Sequence, residues 1–201
     1  MDSSISRRAL TAALPAMAAL TLLPGAAFAL NVGEARALID KAIADVNRVI
    51  NSGKSEPAMY KDFEQIFVRY ADVRYIAQSA LGPAGRGADP AVMGAYVKAF
   101  QGYISRKYGK RFREFIGGRI EVRDARQVKN FFEVKTIAHL RGESPFEVTF
   151  LVSDRSGKDK FFNLFIEGVN MLAAERTEIG AMLDRSKGDI GRLTAALQKT
   201  G

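Results

Sequence analysis

The chain runs to 201 residues, with 30 Lys and Arg against 22 Asp and Glu, one histidine, no cysteine and no tryptophan. Disulfides, thiolate metal centres and a lipid-modified N-terminal cysteine are excluded, and a lone histidine cannot assemble a metal site. The formal net charge of +8 favours anionic partners such as lipid headgroups, nucleic acid or an acidic protein face.

Residues 1–29 read as an export signal: Arg7 and Arg8, an apolar run from Ala9 to Leu23, and Ala27-Phe28-Ala29 as a small-x-small cleavage site. Ser6-Arg7-Arg8-Ala9-Leu10 fits a twin-arginine signal as well as an ordinary secretory one. The apolar core is too short to span a membrane, and Pro15, Pro24 and Gly25 interrupt it. Cleavage after Ala29 leaves 30–201, the size of one domain with a single core. An exported chain rarely meets nucleic acid, so membranes and acidic proteins are the preferred partners.

Asn31 followed by Glu34 forms a capping-box start, and Ala35, Leu38, Ile39, Ala42, Ile43, Val46, Val49 and Ile50 recur at helical spacing. A second helix opens at Pro57 with Met59, Tyr60, Phe63, Ile66, Phe67 and Tyr70 on its apolar face. Asp72 caps a short third helix ending at Leu81, and the segment from Gly82 to Gly87 is a loop. Asp89-Pro90 starts a long helix that buries Met93, Tyr96, Val97, Phe100, Ile104, Tyr108, Phe112 and Phe115, and Gly117-Gly118 ends it.

Beyond those glycines the period becomes alternating, and Arg119 to Val128, Phe131 to Arg141, Phe146 to Ser153 and Lys160 to Glu167 read as strands. Turns this short leave no room for crossover helices, so the expected sheet is a four-stranded antiparallel meander. Helices from about Leu172 to Ser186 and from Asp189 to Gln198 close the chain. The fold class is α+β, with helices before and after the sheet covering one of its faces. Phe132, Val134, Thr136, Ala138 and Leu140 share one face of the second strand, Phe146, Val148, Phe150 and Val152 one face of the third, and the fourth is apolar on both. Such stripes are what every globular domain shows, so by themselves they favour a well-filled core over a slot between layers.

Arg106, Lys107, Lys110, Arg111 and Arg113 crowd the end of the long helix. They suit a phosphate headgroup or an acidic docking partner, and equally a solvated helix end whose cations oppose the dipole. No H-E-x-x-H, no G-x-S-x-G and no phosphate-cradling glycine loop is present. An exported enzyme acting on an apolar substrate through Glu167, Asp124 or His139, and a chaperone groove for apolar peptide, remain as rival readings.

The run from Phe161 to Arg176 passes from an apolar strand through Glu167-Gly168 into an amphipathic helix. It resembles the closing signature of MlaC-type periplasmic phospholipid-binding proteins, the toluene-tolerance family, with Ile166, Glu167, Gly168, Val169 and Arg176 in register. Asn163 stands where that family usually has Asp, and Asn170 where it has Ser. Ala80-Leu81-Gly82, Phe100 and Tyr108 extend the likeness, while two tryptophans common near Gly85 and Asp159 are absent. The resemblance implies a non-enzymatic carrier without a cofactor, holding phospholipid acyl chains in a dry cavity between sheet and helices. It implies exchange with an outer-membrane lipoprotein complex and an inner-membrane ABC transporter complex that maintain outer-membrane lipid asymmetry, with weak headgroup discrimination. The expected walls are Phe67, Ile76, Phe100 and Ile104 from the helices, Phe132 and Val134 from the second strand, Val148, Phe150 and Val152 from the third, and Phe162, Leu164 and Ile166 from the fourth.

Overall fold

The expected capping box is formed in the computed structural model, which describes residues 30–112 and 115–200. The segment expected to be an export signal and Arg113 lie outside the described residues. Asn31 Oδ1 accepts the Glu34 N–H at 3.0 Å and the Asn31 N–H donates to Glu34 Oε2 at 3.0 Å, which launches α1 (Val32–Ile50). Its buried face of Ala35, Ile39, Ala42 and Ile43 follows the helical repeat. Helix α2 (Glu56–Tyr70) carries Pro57 in its first turn, and α3 (Val73–Leu81) is capped by Asp72, whose Oδ1 accepts the Tyr75 N–H at 3.1 Å. Gly82, at φ +66°, ends α3 in a backbone conformation that side chains disfavour, and a short 3₁₀ turn, Gly82–Gly85, follows within the expected loop.

The long helix α4 (Pro90–Phe112) packs on α2, α3 and α6 (Ile190–Lys199), and Tyr96, Phe100 and Tyr103 in its middle are the largest fully buried side chains among the described residues. Helix α5 (Met171–Arg185) is capped by Asn170 and lies on α3 and on the strand Lys160–Ile166, and α6 is capped by Asp189.

The sheet is antiparallel throughout in the order β1 (Arg119–Val128), β2 (Phe131–His139), β3 (Phe146–Ser153), β4 (Lys160–Ile166), β5 (Val169–Asn170). Among the described residues it has five strands, not the four expected. Glu167 at φ +49° and Gly168 at φ +80° make a two-residue hairpin turn, which returns the chain so that Phe165 faces Asn170 and Ile166 faces Val169. A strand of two residues has no alternation to betray it in sequence.

A second difference concerns parity on β4. Val148 pairs with Ile166 and Phe150 with Leu164, but Val152 pairs with Phe161, so Phe162 is the extra residue of a bulge. Phe161 therefore joins the inward set, edge-on to Phe150 at 5.5 Å, while Phe162 stands edge-on to Tyr75 at 5.6 Å and Phe131 at 5.9 Å. The strict alternation of Phe162 with Leu164 and Ile166 is broken at that point.

Candidate functional site: an apolar cavity between sheet and helices

Helix α1 covers β1 and β2, α5 reaches β4, and between them the layers do not close. A cavity of about 420 Å³ remains, bounded by α1 to α5 on one side and by the sheet on the other, within the usual size of a small-molecule site. Of the side chains expected on its walls, Phe67, Ile76 and Ile104 line it from the helices, and Val148, Phe150, Phe162, Leu164 and Ile166 from the sheet.

Phe100, Phe132, Val134 and Val152, also expected on the walls, are placed in the packed core and are not among the residues that line the cavity. The reason is positional. Helix α4 meets the cavity only over its last turns, through Ile104, Ser105, Tyr108 and Arg111, and Phe100 lies one turn earlier between Tyr96 at 6.0 Å and Tyr103 at 6.3 Å. Phe132 pairs with Val152 at the opposite end of β2 and β3 from the void. A shared sheet face thus fronts solid packing at one end and empty space at the other.

Sequence reasoning missed the contribution of α1 through Ala42, Ile43 and Val46, and that of Phe63, Ile66 and Ile120. The α1 stripe was visible as an apolar face, but nothing in its pattern says whether a face meets side chains or a void.

The opening lies where the end of α4, the β2–β3 turn and the β4–β5 turn converge, since exposed Arg111, Glu143 and Glu167 line the cavity there, beside half-buried Phe115 and Phe146. Most polar groups deeper in the wall are satisfied within the protein. Thr136 Oγ1 donates to the Val148 carbonyl at 2.8 Å and Ser105 Oγ to the Gln101 carbonyl at 2.9 Å.

The expected basic cluster is not one patch. Lys107 Nζ donates to Glu175 Oε1 at 2.6 Å and to Glu178 Oε2 at 2.5 Å, with the Tyr108 hydroxyl also donating to Glu175 Oε1 and the Tyr103 hydroxyl to Glu178 Oε1. Burial would lower Lys107, yet the hydrogen bonds to the two carboxylates hold its ammonium above the ordinary value. Burial pushes the Tyr103 and Tyr108 hydroxyls up, and the neighbouring carboxylates push further. Arg106 reaches the C-terminus of α6, donating to the Leu197 and Thr200 carbonyls at 2.6 and 2.8 Å. Lys110 and Arg111 are exposed, and Arg111 is the cluster member on the cavity rim.

The three groups considered for catalysis do not converge. Glu167 is at the rim, His139 Nε2 lies 3.1 Å from Glu121 Oε1, and neither His139 nor Asp124 reaches the cavity. No ion pair joins Glu167 to Arg176 among the described residues, and the Arg176 guanidinium instead packs against Gly82.

The family model for MlaC proteins matches residues 38–199. The chain belongs to the MlaC family. A phospholipid-binding protein from Ralstonia solanacearum, solved in complex with a phospholipid, superposes with a TM-score of 0.70 over 82% of this chain and 95% of that one, at 19% sequence identity. At that identity the likeness is one of fold. The two asparagines of this MlaC-family chain's closing signature also find their explanation. Asn163 Nδ2 donates to Asn170 Oδ1 at 3.0 Å, while Asn163 Oδ1 accepts the Leu172 N–H at 3.1 Å and Asn170 Oδ1 the Ala173 N–H at 3.1 Å. Together they pin the first turn of α5 to β4 at the edge of the cavity.

Proposed function

We propose that this protein is a periplasmic phospholipid carrier, which houses acyl chains in the cavity and passes lipid between outer- and inner-membrane components of a lipid-transport system. The observation that carries the reading is the apolar void itself, open at one end between sheet and helices. Membership of the MlaC family and the phospholipid bound by the Ralstonia solanacearum protein support it.

The physical need is plain. At about 0.8 kcal/mol per methylene, two chains of about fifteen methylenes each cost about 24 kcal/mol to expose to water. A carrier has only to match the bilayer's environment, which suits a wall of Val, Leu, Ile and Phe. By this reading the chain is exported through its N-terminal signal, meets an outer-membrane lipoprotein complex and an inner-membrane ABC transporter complex, and has no catalytic role. Lipid release requires the helices to move relative to the sheet, a population shift between closed and open forms.

Native mass spectrometry of protein purified without detergent tests the reading: about one phospholipid per chain is expected. Protein that arrives empty and takes up no lipid from vesicles would refute it. Cross-linking α4 to the sheet is expected to block transfer, and transfer at the unmodified rate would remove the release step.

A further inference from the structure

Cleavage after Ala29 would make Leu30 the first residue of the exported chain, and the fold holds its nitrogen in a defined place. The Leu30 side chain is buried in the core at 7% exposure, and its backbone N–H donates to Asp154 Oδ2 at 3.3 Å. Asp154 opens the turn between β3 and β4, Asp159 closes it, and Glu34 stands in the first turn of α1. These charges crowd one another: partial burial, then the nearby Glu34 and Asp154 carboxylates, push the Asp159 carboxyl above its ordinary value. In a chain of net charge +8, none of the three carboxylates forms an ion pair among the described residues. Arg155 and Lys158 in the same turn are exposed and do not pair with them, and Lys160 donates instead to the Val68 and Arg69 carbonyls at the end of α2.

Hydrolysis of the Ala29–Leu30 peptide bond changes what the Leu30 nitrogen is. Water adds across the bond, Ala29 leaves as a carboxylate, and the neutral amide with one N–H becomes an ammonium with three. An α-amino group ordinarily titrates at about 7.7–8.0, so it is charged at neutral pH. The positive end of the α1 dipole lies two residues on, where an ammonium without a counter-charge weakens the first turn. Asp154, backed by Asp159 and Glu34, supplies that counter-charge, and a charge-assisted hydrogen bond is about twice as strong as a neutral one.

Resting on the reading that the chain is exported and cut after Ala29, we propose that Asp154 receives the new Leu30 ammonium, so that cleavage turns a neutral hydrogen bond into an ion pair fastening the start of α1 to the β3–β4 turn. Helix α1 is a wall of the cavity through Ala42, Ile43 and Val46, so the pair anchors that wall only in the processed protein.

The test collects the exported protein and reads its first residue by intact mass. A start other than Leu30 overturns the cleavage reading and the proposal together. With the start at Leu30, the protein is compared with a chain that retains Ala29, which displaces the ammonium by one residue, each with Asp154 and with Asp154→Asn, by circular-dichroism melting at neutral pH. The Leu30 start is expected to melt about 2–4 °C above the Ala29 start, the reach of one charge-assisted hydrogen bond in a domain of this size. In Asp154→Asn the two starts are expected to melt together. Equal melting of the two starts with Asp154 present overturns the proposal and leaves the cleavage reading standing, and so does a difference that persists in Asp154→Asn. If that variant does not fold, salt decides: the advantage of the Leu30 start is expected to shrink in about 1 M NaCl, and an advantage that salt leaves unchanged overturns the ion pair.

Discussion

A carboxylate placed on the cavity wall should empty the cavity of lipid before it unfolds the protein. Leu164 is half-buried opposite Phe150 and fronts the void, so in Leu164→Asp the new charge is hydrated as long as the cavity holds water. The empty fold then loses only part of the burial of one leucine, about 1 kcal/mol, or a fall of about 2–4 °C in melting temperature for a domain of this size. Loading replaces that water by hydrocarbon, and stripping a carboxylate of its hydration costs several kcal/mol. Taking about 3 kcal/mol, affinity for lipid drops more than about a hundredfold. Val134→Asp is the control, since Val134 is 0% exposed in the packed half of the same sheet face and its charge would have no water to keep. It should unfold the protein, at a cost of more than about 4 kcal/mol. The assay pairs circular-dichroism melting with lipid content by native mass spectrometry. If Leu164→Asp loses structure as completely as Val134→Asp, or keeps its full lipid load, the cavity argument is wrong.

Other outcomes follow from individual contacts. The Tyr70 hydroxyl at 2.7 Å, followed by Arg48 and Arg69, holds the buried Asp45 carboxyl below its ordinary value of 3.8. A depressed folded value means that stability is fully present above the ordinary value and is lost as pH falls through the lower folded value, so the denaturation midpoint should drop as pH falls below about 4. Asp45→Asn should cost about 1–3 kcal/mol at neutral pH and flatten this acid limb; an unchanged acid limb would refute the assignment. Asn163→Leu removes the acceptor of the Leu172 N–H and should cost about 2 kcal/mol, with faster amide exchange at the start of α5. Arg106→Ala should fray the end of α6 by about 1 kcal/mol and leave lipid capture unchanged; reduced capture would return Arg106 to the headgroup. Gly109→Ala should push α2 and α4 apart, since a methyl there overlaps the Tyr60 ring, and lower the melting temperature measurably.

Much of this protein is local and therefore legible in the chain. The capping box at Asn31, the Asp72 cap, Pro57 in a first turn and the change of period after Gly118 place the helices and four strands close to their observed bounds, because caps and periodicity act over a few residues. The closing signature marked the family for the same reason, as a contiguous run.

What the chain alone did not decide depends on residues far apart. Phe100 and Ile104 sit one turn apart on the same helix, both apolar and both buried, and only the second borders the void. The bulge at Phe162 brings Phe161 into the inward set beside it, because β3 sets the register of β4. Lys107 looked like a surface cation until α5 brought two carboxylates to it. Apolar pattern determines which faces are buried, but whether burial ends in contact or in empty space depends on the distance between layers, and the tertiary structure alone sets that distance.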